Sequence, residues 1–305
     1  MLTTREGHNL LLRLKSEDGK SKELNDSDVS VIIDTRRSIA SLIKSSVINL
    51  DLYSLYLISA LSIKHIIHSD YLSEKKALLN QKLGFIPKIL EIEFNGRNIV
   101  FDLTNELSMQ ILYQVLSIFL KNSYMLKPEY SEGVVIDAGS NLGVFSLYAA
   151  ASGAKNVHAF EPVSQTYNIL KQNVAKNSMD SIITLHNCAL GSENTLSKIY
   201  FDSKGDQTAS LSSSSKANFQ EIKVEKLDDL FSNTPVSFIK IDTEGFEHEI
   251  LSGAKSILSK YKPVLCLSAY HKPQDKSVLP SFIQSIRSDY DVKLVNHGED
   301  NLFCS

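Results

Sequence analysis

From residue 134 onward, short apolar runs alternate with amphipathic helical segments, and this rhythm constrains the fold more than any other feature. Continuous apolar runs predict buried strands at residues 134–136, 157–160, 182–185, 237–241 and 264–267. Helical periodicity predicts intervening helices at residues 144–151, 165–176 and 246–258. Strands that alternate with helices form a parallel sheet covered on both faces. Right-handed crossovers then bring the carboxyl ends of the strands to one edge, where ligands bind.

A glycine-rich turn follows the first of these strands, in the sequence V-V-I-D-A-G-S-N-L-G at residues 134–143. Gly139 lets the backbone turn sharply and approach a ligand, and Gly143 lets the next helix pack close to its strand. Asp137 ends the strand, where it can accept hydrogen bonds from a loop N–H or a ligand ammonium. Because Asn141 interrupts any G-x-G-x-x-G pattern, the turn favours a nucleotide-type ligand without a pyrophosphate.

Glu161 lies 22 residues after Gly139, at the end of the second predicted strand. An acidic residue about 20 residues beyond such glycines binds adjacent ribose hydroxyls in nucleotide-binding folds. Pro162 biases Glu161 toward extended geometry, which aims the carboxylate outward. A carboxylate at this place would repel a 2′-phosphate, so NADP is disfavoured.

The chain divides near residue 88. Residues 1–87 carry helical periodicity at 32–47 and 52–67 but no motif that bears chemistry, so we expect a helical cap or an element of homo-oligomerisation. Two alternating runs around Asn95-Gly96 then predict a β-hairpin, because the type I′ turn needs positive φ twice. A helix is expected at residues 106–120, and residues 196–224 are read as an irregular insertion with a Ser-rich flexible loop.

Composition excludes several classes of protein. The net charge is −3, which argues against nucleic acid as the main partner. Three cysteines without metal or disulfide spacing fit a reducing compartment. The N-terminus lacks the apolar stretch of a signal peptide, and the apolar segment 52–63 is shorter than the ~20 residues of a membrane span. We therefore expect a cytoplasmic protein.

Four segments taken in order resemble the FkbM family of S-adenosylmethionine-dependent methyltransferases, over roughly residues 88–305. They are D-A-G-S-N-L-G from Asp137, A-F-E-P from Ala159, N-C-A-L from Asn187 and K-I-D-T-E-G-F-E from Lys240. The resemblance implies a class I methyltransferase (Rossmann-like) fold, an α/β architecture with a seven-stranded, mostly parallel sheet whose last strand is antiparallel. It also implies S-adenosyl-L-methionine as the cofactor.

The same resemblance implies roles for individual residues. Those at the methionine end of the cofactor would be Asp137, Gly139, Asn141 and Gly143. Glu161 would bind the ribose, and Asn187 with Cys188 would flank the adenine. Asp242 would lie beside the sulfonium and the acceptor.

Methyl transfer to a hydroxyl needs a base within hydrogen-bond reach of the acceptor. The candidates are Asp242, in an acidic turn with Glu244 and Glu247, and His271, whose ordinary pKa of ~6.5 suits the task. Asp242, Glu244 and His271 also carry donor atoms suited to a divalent ion, but their spacing is not a metal motif and none is predicted. The family's fifth-strand segment often carries an acidic residue, whereas this chain reads Tyr-His-Lys-Pro at 270–273.

The resemblance implies O-methylation of a hydroxyl on a glycan or a small secondary metabolite as the function. Two alternatives remain at this point. The first is a nicotinamide-dependent oxidoreductase on a doubly wound sheet, which the missing dinucleotide fingerprint disfavours. The second is a non-catalytic binding module with a methyltransferase-like fold. The set of Asp137, Gly139 and Glu161 argues against the second.

Overall fold

A computed structural model describes residues 2–4, 9–25, 28–29, 76–77, 79–105, 107–201, 218–296 and 300–305. The helices predicted at 32–47 and 52–67 lie outside these residues, as does the Ser-rich run at 208–215. Among the described residues, none of the helices has the length and apolar character needed to cross a membrane.

Strands and helices alternate along most of the described chain. The strands are β1 (Leu2–Thr3), β2 (Asn9–Lys15), β3 (Ser21–Glu23), β4 (Ile89–Phe94), β5 (Arg97–Asp102), β6 (Val134–Ala138), β7 (Val157–Phe160), β8 (Ile183–His186), β9 (Ala189–Leu190), β10 (Thr195–Phe201), β11 (Asn218–Glu225), β12 (Val236–Ile241), β13 (Val264–Ser268), β14 (Val292–Asn296) and β15 (Asp300–Cys304). The helices are α1 (Ser108–Val115), which continues as a π-helix (Leu116–Leu120), a 3₁₀ turn (Pro128–Ser131), α2 (Val144–Ala151), α3 (Ser164–Lys176), α4 (Leu227–Leu230), α5 (Glu247–Ser252), α6 (Lys255–Tyr261) and α7 (Asp275–Ile286).

The central sheet has seven strands in the order β14-β15-β13-β12-β6-β7-β8. The five strands from β13 to β8 run parallel, β15 is antiparallel to β13, and β14 is antiparallel to β15. The predicted seven-stranded, mostly parallel sheet with an antiparallel last strand is therefore confirmed.

Side chains of the sheet alternate between two separate apolar cores. On β6, Val135 packs in one core with helix α2, whereas Val134 and Ile136 pack in the other with helices α5 and α6. This follows from the two-residue period of a strand. Because both faces are covered, only the edge formed by the strand ends is free to bind ligands.

A second sheet precedes the central one, in the order β1-β2-β4-β5 with β3 paired to β2. Asn95 and Gly96 have φ values of 51° and 71°, which confirms the predicted hairpin turn. The helical N-terminal extension is not confirmed, because residues 9–15 and 21–23 are strands that join this sheet. Every second residue of β2, namely Leu10, Leu12 and Leu14, is buried in the core, and this period of two is that of a strand.

The segment expected to be an irregular insertion contains an antiparallel hairpin. Strands β10 and β11 pair along their whole length, and β11 also pairs with β9 next to the central sheet. The inner face of the hairpin packs Ile199, Ile222 and Val224 against Val163 and Ala189 in a small separate core. This packing holds the hairpin beside the carboxyl end of strand β7.

Candidate functional site

The turn after β6 is built from three residues with positive φ. Gly139, Asn141 and Gly143 have φ values of 75°, 49° and 84°. The N–H groups of Gly139 and Ser140 donate to the Phe160 carbonyl at 3.1 and 2.9 Å, which joins the turn to the end of β7. A Cβ at Gly139 would overlap the backbone carbonyl of Asp242, so only glycine fits.

Asp137 lies behind this turn rather than at a ligand surface. Its side chain is fully buried, its Oδ1 lies 3.0 Å from the Lys240 ammonium, and the Ser146 hydroxyl donates to Oδ2 at 2.6 Å. Lys240 also donates to the Gly139 carbonyl at 2.6 Å. The pair therefore fixes the glycine turn from below. Lys240 was not among the predicted site residues, although a lysine inside a mostly apolar strand is a usable signal.

Glu161 is buried at the end of β7, with 6% of its surface exposed. Its carboxylate accepts hydrogen bonds from the Asn141 N–H and the Val163 N–H, both at 2.9 Å. Burial raises the pKa of Glu161 to about 7, although these bonds and the Lys240 charge oppose the rise. The carboxyl group is therefore divided between its two protonation states at neutral pH.

A first cavity of about 660 Å³ opens between the ends of β6, β7 and β12 and the hairpin. It contains five of the residues predicted to bind the cofactor, namely Gly139, Asn141, Glu161, Cys188 and Asp242. Its wall is completed by apolar side chains, among them Phe160, Ile199 and Phe246.

Three other predicted cofactor residues, Asp137, Gly143 and Asn187, do not line this cavity. Gly143 begins α2, and a Cβ there would overlap the Leu170 side chain, so its role is close packing. The Asn187 amide donates to the carbonyls of Glu161 and Pro162 at 2.9 and 3.2 Å. It supports the strand end from outside the cavity.

A second cavity of about 780 Å³ adjoins the first. The two share Gly139, Asn141, Asp242 and Glu244, so they meet between the glycine turn and the end of β12. The far wall of the second cavity is polar and aromatic, with Tyr113, Gln114 and Ser117 from the α1 and π segments, and Tyr124 and Tyr270. No sequence pattern predicts this wall, because the loop residue Tyr124 and the helix residues approach β12 only in the folded chain.

Asp242 lies where the two cavities meet. Its Oδ2 accepts a hydrogen bond from the Tyr124 hydroxyl at 2.7 Å, and the Tyr270 hydroxyl lies 3.5 Å from Oδ1. Burial alone would raise its pKa, but the charges of Lys240 and His271 outweigh burial and hold the pKa below its ordinary value. Asp242 is therefore a carboxylate at neutral pH.

His271, the other candidate base, lies beside the acidic turn after β12. It lines neither cavity, and its Nδ1 lies 2.9 Å from Glu247 Oε1. Its Nε2 lies 3.5 Å from Glu244 and 3.7 Å from Asp242. Burial opposes the charged form, but the bond to Glu247 and the three carboxylates raise the pKa of His271 to about 9. The imidazole therefore keeps its proton at neutral pH, contrary to the ordinary value assumed from sequence.

The described residues that line the first cavity fit an adenosyl ligand. A glycine turn without a Cβ leaves room for close approach, a carboxylate stands at the strand end, and apolar walls suit a base. The Asn141 Oδ1 atom is buried and has no hydrogen-bond partner among these residues, so it can accept from a ligand donor. Among the residues that the structure describes, no group of three or more His, Cys, Asp or Glu side chains has the arrangement of a metal site.

Comparison with known proteins points to one family. The model of the methyltransferase FkbM domain matches residues 137–291, about half of the chain. Methyltransferase 1 of Beauveria bassiana is 25% identical over 160 residues, which cover 45% of this chain and 64% of that protein. Methyltransferase sdnD of Sordaria araneosa is 24% identical over 183 residues, 49% of this chain and 70% of that protein.

Among solved structures, the methyltransferase FkbM from Methylobacillus flagellatus is 25% identical, with a TM-score of 0.45. The match covers 66% of this chain and 56% of that one. The chain thus spans less than two thirds of the length of that protein and of the Beauveria protein. The family match includes the glycine turn, Glu161 and the acidic turn after β12, which together form the walls of the first cavity. The chain belongs to the FkbM methyltransferase family.

Proposed function

We propose that this chain is an S-adenosylmethionine-dependent methyltransferase that methylates a hydroxyl group of a glycan or a small molecule. The observation that carries the proposal is the junction of two cavities at Gly139, Asn141, Asp242 and Glu244. A methyltransferase needs two ligands that meet at one point, because in-line transfer requires acceptor oxygen, methyl carbon and sulfur to be collinear. When bound, the cofactor supplies an electrophilic methyl group.

In this proposal the first cavity holds the adenosyl part of the cofactor. Glu161 accepts hydrogen bonds from the ribose hydroxyls, while Cys188 and Ile199 flank the adenine. Asn141 stands at the junction, where its buried carbonyl oxygen accepts from the methionine ammonium. Asp137, Gly143 and Asn187 support these groups from behind without touching the ligand.

The second cavity is the proposed acceptor site. Its phenol, amide and hydroxyl groups offer hydrogen bonds to a neutral acceptor, and its tyrosine rings offer apolar faces. Asp242 and Glu244 are negative, and the Lys240 charge is engaged by Asp137. A phosphate-bearing acceptor, including nucleic acid, would meet repulsion here.

Asp242 is the proposed proton acceptor in this arrangement. Its carboxylate is ionised and lies on the walls of both cavities, so it can accept the hydroxyl proton as the oxygen–carbon bond forms. His271 lines neither cavity and is not given this role in the proposal.

Thermal denaturation with candidate ligands tests the proposal. S-adenosylhomocysteine at about 100 times its dissociation constant should stabilise the protein by about 2.7 kcal/mol, whereas NAD should give no protection. Glu161→Gln should weaken the protection, and Glu193→Gln, at an exposed position outside both cavities, should leave it unchanged. Protection by NAD alone would support the oxidoreductase alternative, and protection by neither ligand would refute the cofactor assignment.

The acceptor is found by comparing cells with and without this protein. Mass spectrometry of their glycans and small metabolites should reveal a methyl-sized mass difference on a hydroxyl. A purified acceptor would then be methylated by the wild-type protein but not by Asp242→Asn. Undiminished turnover of that variant would remove Asp242 as the proton acceptor.

A further inference from the structure

The turn that joins β12 to α5 has an unusual backbone, and its side chains converge on one histidine. Glu244 and Gly245 both have positive φ, at 55° and 96°. Glu247 Oε1 accepts from the N–H groups of Thr243 and Gly245, both at 3.2 Å, which closes the turn. The turn carries Asp242 and Glu244 into the walls of both cavities. Its geometry therefore sets the place where the cavities meet.

His271 contacts this turn from the end of the neighbouring strand β13. Only 7% of its side chain is exposed, and Glu247, its closest partner, is 1% exposed. Glu247 is buried, whereas Asp242 and Glu244 keep 22% and 33% of their side chains exposed, and three carboxylates so close together repel one another. A charged imidazole between them offsets this repulsion. Its Nδ1 lies 2.9 Å from Glu247 Oε1, and its Nε2, which has no hydrogen-bond partner among the described residues, lies 3.5 Å from Glu244 and 3.7 Å from Asp242.

We infer that His271 is a positioning residue, a buried cation that holds the acidic turn in shape so that Asp242 and Glu244 stand at the junction of the two cavities. The inference rests on the proposed function for its catalytic consequence, but the charge state of His271 is testable without any activity. In this role His271 contacts neither the cofactor nor the acceptor.

Most of the ionisable groups around His271 favour its charged form. They are the carboxylic acids Asp242, Glu244, Glu247 and Asp275, the phenol of Tyr270 and one cation, Lys272. Lys272 lies at the outer side of the turn, with its side chain over Gly245. Loss of the imidazole proton would remove a positive charge from among these carboxylates.

Nuclear magnetic resonance of the ring nitrogens measures this charge directly. We expect the His271 signal, assigned by its absence in His271→Gln, to report a doubly protonated ring at pH 7.5 and to titrate near pH 9. Glu247→Gln should lower that midpoint by about one pH unit or more, because it removes the nearest carboxylate. A neutral His271 ring at pH 7.5 would overturn the inference, whether or not the protein binds S-adenosylhomocysteine.

Turnover measurements on variants then show whether His271 acts as a counter-charge or only as a hydrogen-bond partner. His271→Gln should reduce turnover about 10- to 100-fold through displacement of Asp242. The double variant His271→Gln/Glu247→Gln, which removes one charge of each sign, should recover part of that loss. His248→Gln is the matched control, because His248 lies on α5 against Phe282 and outside both cavities. Equal activity of His271→Gln and the wild type would contradict the positioning role.

If His271→Gln does not fold, triple-resonance assignment identifies the wild-type ring signal, and its titration together with that of Glu247→Gln still decides the charge. If the wild type binds no S-adenosylhomocysteine, the proposed function fails. A doubly protonated His271 ring would still support the inference that His271 is a counter-charge to the acidic turn. The two outcomes are therefore distinguishable.

Discussion

The Lys240 ammonium and the Asp137 carboxylate form an ion pair at 3.0 Å beneath the glycine turn, and at most 4% of either side chain is exposed. Both strand ends of the site depend on this pair. Asp137 belongs to β6 and Lys240 to β12, and Lys240 also holds the Gly139 carbonyl.

Lys240→Met should destabilise the protein by about 3–5 kcal/mol, because it leaves the Asp137 charge buried without a cation. Asp137→Asn should have a cost of similar size. The double variant should cost less than the sum of the two, since it leaves no unpaired charge. Urea denaturation of the three variants measures this, and strict additivity would show that the pair contributes no coupling.

The five parallel strands of the central sheet were predictable because each is a short, mostly apolar run between helices, whereas the two remaining strands were expected only from the family resemblance. Strand β2, where the leucines alternate, was missed because the longer helical periodicity at 32–67 dominated the interpretation of the N-terminal region. Helices α5 and α6 were expected as one helix, whereas the chain breaks at Gly253 and Ala254.

The predicted site residues also differ in how much of their environment follows from local sequence. The places of Gly139 in the turn after β6 and of Glu161 at the end of β7 were predictable, because the chain order of strands and turns determines them. Asp137 and His271 were assigned roles that depend on their neighbours, and those neighbours come from distant parts of the chain: Lys240 for Asp137, and Glu247 for His271. Local sequence does not report which charges surround a group, so it does not report the pKa.

Binding of S-adenosylhomocysteine should depend on pH through Glu161. The pKa of this carboxyl is about 7 in the free protein, and only the ionised form accepts hydrogen bonds from both ribose hydroxyls with both oxygens. Affinity should therefore rise about tenfold from pH 6 to pH 8. Calorimetric titration at several pH values measures it. Glu161→Gln should bind more weakly with a flatter pH dependence, and a flat dependence in the wild type would contradict the ribose role.

Acid should destabilise the protein partly through the histidine pair on β7 and β8. His158 Nδ1 lies 2.9 Å from His186 Nε2, and burial together with the neighbouring ring lowers the pKa of His158 to about 4. Between pH 6.5 and 4 the unfolded chain binds a proton at His158 that the folded protein does not bind. The free energy of unfolding therefore falls as pH falls through this window.

His158→Gln removes this titration and keeps a polar side chain. The difference in unfolding free energy between the wild type and the variant, measured in urea at pH 7 and pH 5, should shrink or reverse toward acid. Comparison of the two proteins cancels the opposite contribution of Glu161, whose raised pKa favours the folded state at low pH. A difference that stays constant with pH would show that His158 does not titrate between the two states.

Alanine substitution at three glycines with positive φ distinguishes the cost of backbone strain from the cost of a steric clash with a neighbouring residue. Gly139, Gly143 and Gly153 have φ values of 75°, 84° and 111°, so alanine should cost about 1–2 kcal/mol at each from conformation alone. At Gly153 nothing lies within 4 Å of the new methyl group, so that cost should be the whole effect. At Gly143 the methyl meets the Leu170 side chain, and Gly143→Ala/Leu170→Val should regain part of the added loss.

At Gly139 the obstacle is the Asp242 backbone carbonyl, which no side-chain change removes. Gly139→Ala should therefore abolish binding of S-adenosylhomocysteine even where the protein still folds, whereas Gly153→Ala should bind it as the wild type does. Equal binding by Gly139→Ala and Gly153→Ala in calorimetric titration would mean that the turn after β6 does not shape the ligand site.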